Sequence, residues 1–288
     1  MAETLLIVLA LAAIAWPLVG PVHRRWRRAR LDRQPFPPAW RAILRRRVPL
    51  LRRLPADLRL QLQRHIVRFV AEVPFIGCAG QQVDDEVRVT IAAQACLLLL
   101  QRGGGFEGLR EVLVYPGAFA VERVHAGAGG VQHEQRSALA GESHGRGAVV
   151  LSWQDALDGA ADPDDGRNVV IHEFAHRLDQ DNGAANGAPW LGPGRGYDEW
   201  ARVMAAEYAA LRMRVAAGES SAGIEGEGGE GAEGGEGLIP AYGATDPAEF
   251  FAVVSELYFE RPAALKREHA ALYAQLRQVY RTDPSLWQ

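Results

Sequence analysis

From about Trp40 onward, apolar and polar residues alternate with the period of amphipathic helices. Residues 55–73 carry an apolar side chain every three or four positions, which is the spacing of one helix face. Residues 83–102 open with acids and become strongly apolar, as a buried helix does. The same criteria predict helices over residues 164–180 and 198–218.

Other segments of the chain predict strands and a later helix with a clear start. The runs 111–116 and 148–153 are rich in β-branched residues and are bounded by Gly-rich or polar stretches, which is typical of strands. Asp246 is a favourable N-cap, Pro247 fits the first helical position, and Glu249 occupies the third. A final helical stretch follows. The pattern therefore predicts an α+β fold, mainly α, with a small β-sheet along one edge of a cleft.

The amino-terminal segment has a different character. Residues 5–22 form an uncharged run of 18 residues, and a membrane-spanning helix needs roughly 17–25. Five arginines follow within residues 23–30, and the positive-inside rule then leaves the rest of the chain in the cytoplasm. We therefore expect residues 1–22 to be an anchor, with 5–22 as a single pass through the inner membrane. The alternative is a soluble cytoplasmic protein whose amino-terminal hydrophobic helix is buried or peripheral.

The charged and low-complexity segments refine this organisation. Residues 23–53 contain twelve arginines and one acid, an arrangement that favours contact with anionic lipid over nucleic acid, so no nucleic-acid partner is expected. Prolines within residues 23–39 indicate a basic linker, and residues 40–288 are predicted to be the folded domain. Of the twenty residues at 218–237, nine are glycine and six are glutamate, which predicts a disordered acidic loop unable to hold a metal.

The principal motif of the chain is His172-Glu173-Phe174-Ala175-His176. Histidines four residues apart share one face of a helix and can bind one zinc ion. Glu173 then lies beside the metal, where it can take a proton from a bound water. The alternative is a solvated helix face with two histidines, but the apolar run at 169–171 indicates a helix that is at least half buried.

A third ligand has to come from another element. Position 182 is Asn182, so the extended HExxHxxGxxH motif is absent from the sequence. Glu249 is the leading candidate because it precedes two phenylalanines and would be held near the core, although it could equally serve only as a capping acid of its own helix. Glu256 lies on the same face two turns later and is interpreted as a supporting acid. Asp179 is a candidate acceptor for the second nitrogen of a ligand histidine.

Four segments carry a resemblance to a known family. HEFAHRLD at 172–179 and YGATDPAEFF at 242–251, together with IAAQACLLLL at 91–100 and VLVYP at 112–116, resemble the Mlc titration factor A family of bacterial zinc peptidases. The likeness extends over roughly residues 40–285. The first two segments are also similar to the catalytic domain of anthrax lethal factor.

The resemblance implies a zincin-like domain of the gluzincin type. It implies that His172, His176 and Glu249 bind Zn²⁺, that Glu173 is the general base, and that the Tyr242 phenol stabilises the oxyanion. The expected function is a zinc-dependent metallopeptidase, aminopeptidase-like, that acts on a peptide or protein substrate. The alternative is a regulatory binding protein that sequesters a cytoplasmic transcription regulator, with a zinc site that is structural or weakly active.

Overall fold

The computed structural model describes residues 26–117, 147–183, 185–192, 196–218 and 237–287. Within these ranges the protein is mostly helical, with one small sheet, which confirms the predicted mainly helical α+β class. The predicted membrane segment 5–22 and nearly all of the predicted acidic loop, residues 219–236, lie outside the described residues.

In the part of the chain that the structure describes, the sheet has three strands, β1 (Phe75–Gly77), β2 (Glu111–Tyr115) and β3 (Ala148–Ser152), in the order β1-β2-β3. Both pairs are parallel: Val112 of β2 is opposite Phe75 on one side and Val149 on the other. Parallel neighbours need a crossover connection, and a helix lies between β1 and β2 along the chain.

Buried residues of the helices form most of the hydrophobic core. Residues 26–32 are helical, and the longer helices are α1 (Pro38–Arg47), α2 (Ala56–Glu72), α3 (Asp85–Leu97), α4 (Trp153–Ala161), α5 (Val169–Asp179), α6 (Asp198–Ala216), α7 (Pro247–Glu260), α8 (Pro262–Glu268) and α9 (Ala270–Tyr280).

Helix α5 occupies the centre of the molecule. It contacts β3, α3 and α4, and it packs along α7. Phe174 on α5 is fully buried, with its ring centroid 4.6 Å from that of Phe106 and 5.6 Å from that of Phe69. This aromatic cluster joins α5 to α2 and fixes which face of α5 is turned toward α2.

Helix α7 is buried along nearly its whole length, from Phe250 to Glu260. Its last turns are tied to the carboxyl-terminal segment, because the Tyr280 hydroxyl donates to Ser255 Oγ at 2.6 Å and the Tyr258 hydroxyl donates to the Thr282 carbonyl at 2.5 Å. These bonds satisfy polar groups inside the core and hold α7 in place.

The predicted helices and strands are found, but several boundaries differ. The helix predicted over 164–180 begins at Val169, because the Asn168 side chain accepts a hydrogen bond from Ile171 N and caps it there. The strand predicted over 148–153 ends at Ser152, whose hydroxyl accepts from Asp155 N and starts α4. Strand β1 and helix α4 were not predicted, because three residues and a nine-residue helix give little periodic signal.

The basic amino-terminal segment contacts the folded domain. Arg28 on the helix 26–32 forms a bidentate pair with Glu72, with Nη2–Oε2 at 2.7 Å. Asp32 accepts a hydrogen bond from Arg68 Nε at 2.7 Å. These pairs align the helix 26–32 with α2. The boundary between linker and domain near residue 39 stays a prediction.

The predicted location as a single-pass protein of the inner membrane is wrong. None of the helices in the part of the chain that the structure describes combines the length and apolar character required to cross a bilayer. Helix α6 reaches 19 residues, but charges along its length, from Asp198 to Arg214, would make burial in lipid costly.

The aromatic anchor of α5 generates a stability prediction. Replacing the buried Phe174 by alanine in Phe174→Ala should lower the free energy of unfolding by about 3–5 kcal/mol, because it leaves a cavity between α5 and α2. Urea denaturation followed by circular dichroism measures the change. Leu60→Ala is the control on α2: Leu60 is 56% exposed, so its removal should change the stability by less than about 0.5 kcal/mol. Equal effects of the two variants would contradict the anchor.

Candidate metal centre

The two histidines of the motif come together on α5. The helix is capped at Asn168, and the four-residue spacing places His172 and His176 one turn apart on the face directed at α7. His172 Nε2 lies 3.2 Å from His176 Nε2. His176 is buried and His172 is nearly so, so both nitrogens are directed into a shielded region between the helices.

The third donor is a carboxylate on α7. Asp246 Oδ1 accepts from Ala248 N and Glu249 N at 2.8 and 2.9 Å, and Pro247 occupies the first turn, so the helix begins where the sequence predicts. This start places Glu249 opposite the histidines. Its Oε2 lies 3.0 Å from His172 Nε2, and its Oε1 lies 3.5 Å from His176 Nε2.

The geometry of these three residues suits a metal ion. Donor atoms of His172, His176 and Glu249 all lie within 4.8 Å of one another. Ligands placed tetrahedrally about zinc at roughly 2.0–2.1 Å lie about 3.3–3.4 Å from each other. The observed separations of 3.0, 3.2 and 3.5 Å bracket that value. The set could therefore hold a metal ion, with two imidazoles and one carboxylate as donors.

Electrostatics at this position favour positive charge. Burial lowers the pKa of His172, but the hydrogen bonds to Glu249 and Glu256 outweigh burial and leave the pKa well above its usual range. Burial raises the pKa of Glu249, and the hydrogen bonds to His172 and His176 outweigh that effect, so its pKa lies well below its usual range. The buried carboxylate of Glu249, which lies between the two imidazoles, therefore stabilises a cation bound between these three side chains.

Glu173 and Tyr242 are the other two residues singled out from the sequence. Glu173 is partly buried on α5, directly after His172. Tyr242 lies in the turn Ala241–Ala244, which packs on α7. Its ring centroid is 6.0 Å from that of His172, and the side chain is 44% exposed. All five predicted site residues therefore fall on α5, on α7 and on the turn beside α7, and their roles stay predictions.

Asp179 anchors the loop that follows α5. Its Oδ2 accepts from Gly187 N at 2.7 Å, and burial raises the pKa of the carboxyl. Gly187 has a φ of +75°, and a Cβ there would come within 2.4 Å of the Pro247 carbonyl oxygen. Residues 185–192 thus lie against the first turn of α7, and only glycine permits this close approach.

A network of buried polar groups lies on the far side of His172. Glu256 Oε1 lies 2.8 Å from His172 Nδ1, and Glu256 Oε2 accepts from Asn168 N at 2.5 Å. Asn168 Nδ2 donates to Glu260 Oε1 at 2.9 Å. Sequence reasoning identified Glu256 but missed Asn168 and Glu260. The signal for Glu260 was an acid one turn after Glu256 in an otherwise apolar helix, since a buried acid needs a partner.

Residues 23–281 match the family described as Glucose-regulated metallo-peptidase M90. The chain belongs to this family. The resemblance to bacterial metallopeptidases that the motifs indicated is thereby confirmed, and the match includes both helices of the candidate metal centre.

Curated relatives of this metallo-peptidase family align over most of the chain. The chain is 38% identical over 285 residues to "Uncharacterized protein slr2042" of Synechocystis sp., covering 98% of this chain and 97% of that protein. It is 34% identical over 241 residues to "Mlc titration factor A" of Salmonella agona, covering 83% and 84%. The protein of that name from Salmonella gallinarum is also 34% identical, over 244 residues.

The network behind His172 contains an unusual acid. Glu260 is 1% exposed. Burial raises its pKa to about 9; the hydrogen bond from Asn168 opposes this shift, and the nearby Asp165 and Glu256 add to it. The carboxyl is therefore protonated in the folded protein near neutral pH.

This shift predicts a pH dependence of stability. The pKa of Glu260 is raised on folding from 4.5 to about 9. The contribution of the protonated carboxyl to the free energy of unfolding is therefore fully present below the pKa of the unfolded state, and it is lost as the pH rises through the pKa of the folded state. Over that window the wild type should lose up to about 1.4 kcal/mol per pH unit relative to Glu260→Gln.

Urea unfolding of both proteins with chelator, from about pH 5 to about pH 9, measures the difference. Glu268→Gln is the control, because Glu268 is exposed on the neighbouring helix α8 and should not separate from the wild type. Parallel curves for wild type and Glu260→Gln would contradict the assignment.

Proposed function

We propose that this protein is a zinc-dependent peptidase of the gluzincin type that hydrolyses peptide bonds. The observation that carries the proposal is the convergence of His172, His176 and Glu249, whose donor atoms have the mutual distances of three zinc ligands. Membership in a metallo-peptidase family supports it independently. A zinc ion held there would supply Lewis-acid activation of water and of the scissile carbonyl.

Glu173 is proposed as the general base. It follows the first histidine directly and is not one of the three donor residues, which is the position that the general base takes in an HExxH helix. In this role the Glu173 carboxylate accepts a proton from the attacking water and then delivers it to the nitrogen of the leaving amine. A structural metal centre would not require an acid at this position, which favours a catalytic centre.

Tyr242 is proposed to bind the developing oxyanion. Its ring lies beside His172 and is 44% exposed, so the phenol is accessible to a bound substrate. A hydroxyl donor aimed at the carbonyl oxygen stabilises the transition state more than the ground state. Thr245 Oγ1 donates to the Tyr242 carbonyl at 2.7 Å, which holds the backbone of this turn.

A peptide substrate also fits the position of the sheet. Strand β3 is the last strand in the order β1-β2-β3 and contacts α5. An extended peptide that pairs with a sheet edge satisfies its backbone hydrogen bonds there. We propose β3 as the substrate-binding edge, with the scissile bond directed at α5. We propose more specifically that the enzyme is aminopeptidase-like. Assays with amino-terminal amides and with internally quenched peptides distinguish removal of the amino-terminal residue from cleavage inside a peptide.

The base and the ligand roles predict opposite effects on zinc. Glu173→Gln should keep zinc at wild-type stoichiometry and lose activity by about 10²–10⁴-fold, because it removes a proton acceptor and leaves the donor set intact. The matched His176→Ala should lose both zinc and activity. Metal analysis after dialysis and cleavage of a peptide library measure these outcomes. Undiminished hydrolysis by Glu173→Gln would refute the assigned base.

The oxyanion role predicts a defect in turnover. Tyr242→Phe should lower kcat by about 100-fold with little change in KM or zinc content, since the lost hydroxyl acts mainly in the transition state. Tyr208→Phe is the control: it removes a hydroxyl that donates to the Ala244 carbonyl of the same segment at 3.2 Å. Equal loss of activity in the two variants would show that the structure of the turn is disturbed, and would contradict the oxyanion role of Tyr242.

A second candidate function rests on the names of the relatives. Two Salmonella relatives are called Mlc titration factor A, a name that describes titration of a protein. We propose as the alternative that this chain binds a regulator protein, with its metal centre supporting the fold. Affinity capture with wild type, Glu173→Gln and His172→Ala separates the functions: binding by all three without hydrolysis by any would favour the binding protein.

A further inference from the structure

Three carboxylates of helix α7 contact α5 or its capping residue Asn168. Glu249 belongs to the candidate ligand set, Glu256 follows two turns later, and Glu260 follows after one more turn. Glu256 is 8% exposed and Glu260 is 1% exposed. Burying a carboxyl group costs free energy unless its oxygens form hydrogen bonds. The burial of Glu256 and Glu260 therefore has to be explained by the hydrogen bonds that they form.

Both oxygens of Glu256 contact α5 or its cap. Oε1 lies 2.8 Å from His172 Nδ1, the ring nitrogen that does not face Glu249. Oε2 accepts from Asn168 N at 2.5 Å. Asn168 is also the residue that caps α5 through Ile171 N. One carboxylate therefore connects the first residue before the helix to the first histidine of the motif.

The contact at Nδ1 determines how His172 can bind a metal. A neutral imidazole carries one proton, and the nitrogen that donates it cannot coordinate. A carboxylate accepts but does not donate when ionised, so Glu256 requires the proton on Nδ1. The lone pair then lies on Nε2, the atom that faces Glu249 and His176.

We propose that Glu256 is a positioning residue that fixes the ring orientation of His172 and holds the proton on Nδ1 when the metal is bound, so that Nε2 is the nitrogen presented to the metal. This inference rests on the proposed function, because it assigns the orientation of one of the proposed ligands. Removing such a partner of a ligand histidine lowers metal affinity by about 10–100-fold.

Glu256→Gln tests the proposal with little change in shape. An amide has one acceptor and one donor, whereas Glu256 accepts at both oxygens. If the amide oxygen faces Asn168 N, the NH₂ group donates to His172 Nδ1 and forces the proton onto Nε2. If the oxygen faces His172, the NH₂ group meets the N–H of Asn168. Each orientation breaks one of the two contacts. Glu256→Ala, which removes both acceptors and adds no donor, is the second variant.

Glu260→Gln is the matched control. Glu260 lies on the same helix, is more deeply buried than Glu256 and accepts from Nδ2 of the same Asn168, and among the described residues it has no hydrogen bond to a histidine. Its carboxyl is protonated near neutral pH, so glutamine is close to it in shape and charge. A general effect of disturbing buried acids on α7 would appear in both glutamine variants, whereas loss of His172 positioning would appear only at Glu256.

The measurements are zinc affinity, by competition with a chromophoric chelator, and the ¹⁵N shifts of the His172 imidazole in the zinc-loaded protein. We expect zinc affinity to fall by about 10–100-fold in both Glu256 variants and to stay within about threefold of wild type in Glu260→Gln. We also expect His172 to be protonated on Nδ1 in wild type and Glu260→Gln, and to lose that preference in both Glu256 variants.

The outcomes separate this inference from the proposed function. If wild type binds no zinc and cleaves no peptide, the proposed function fails first. If wild type binds zinc and both Glu256 variants keep its affinity and the Nδ1 tautomer, the inference is overturned and the peptidase proposal stands. Failure of both Glu256 variants to fold, with Glu260→Gln folded, would assign Glu256 to the fold and also overturn the inference.

Discussion

The structure depends above all on the side-by-side packing of α5 and α7. Each helix contributes an apolar surface to the core, through Phe174 on one side and Phe250 and Phe251 on the other. Along the line where they meet, both helices present groups that would be costly to bury alone. Histidines from α5 and carboxylates from α7 satisfy one another there.

Helix caps set the register of this contact. Asn168 and Asp246 each accept from backbone N–H groups in the first turn of the helix that follows. A shift of either start by one residue would rotate every following side chain by about 100° around the axis. The distances of 3.0 and 3.5 Å between Glu249 and the two histidines would then be lost. The loop anchored by Asp179 and Gly187 supports the start of α7 from outside.

The candidate site was more predictable than the fold around it. A four-residue spacing in a helix is a local signal, so the pairing of His172 and His176 could be inferred from a short segment. The Asp-Pro-x-Glu helix start left Glu249 open between a ligand and a capping acid, and the family resemblance decided between them. The polar network behind His172 joins residues 84 to 92 positions apart. No local pattern encodes such a pairing. Strand β1 escaped prediction because its pairing with β2 supplies its stability.

The candidate metal ligands come from two core helices, so metal binding would affect the stability of the whole protein. An ion held by both α5 and α7 must be released before the helices can separate, so its binding adds to the stability of the native state. At a free concentration 100 times the dissociation constant, that linkage amounts to about 2.7 kcal/mol. The supply of metal would then govern the lifetime and abundance of the chain, in addition to its chemistry.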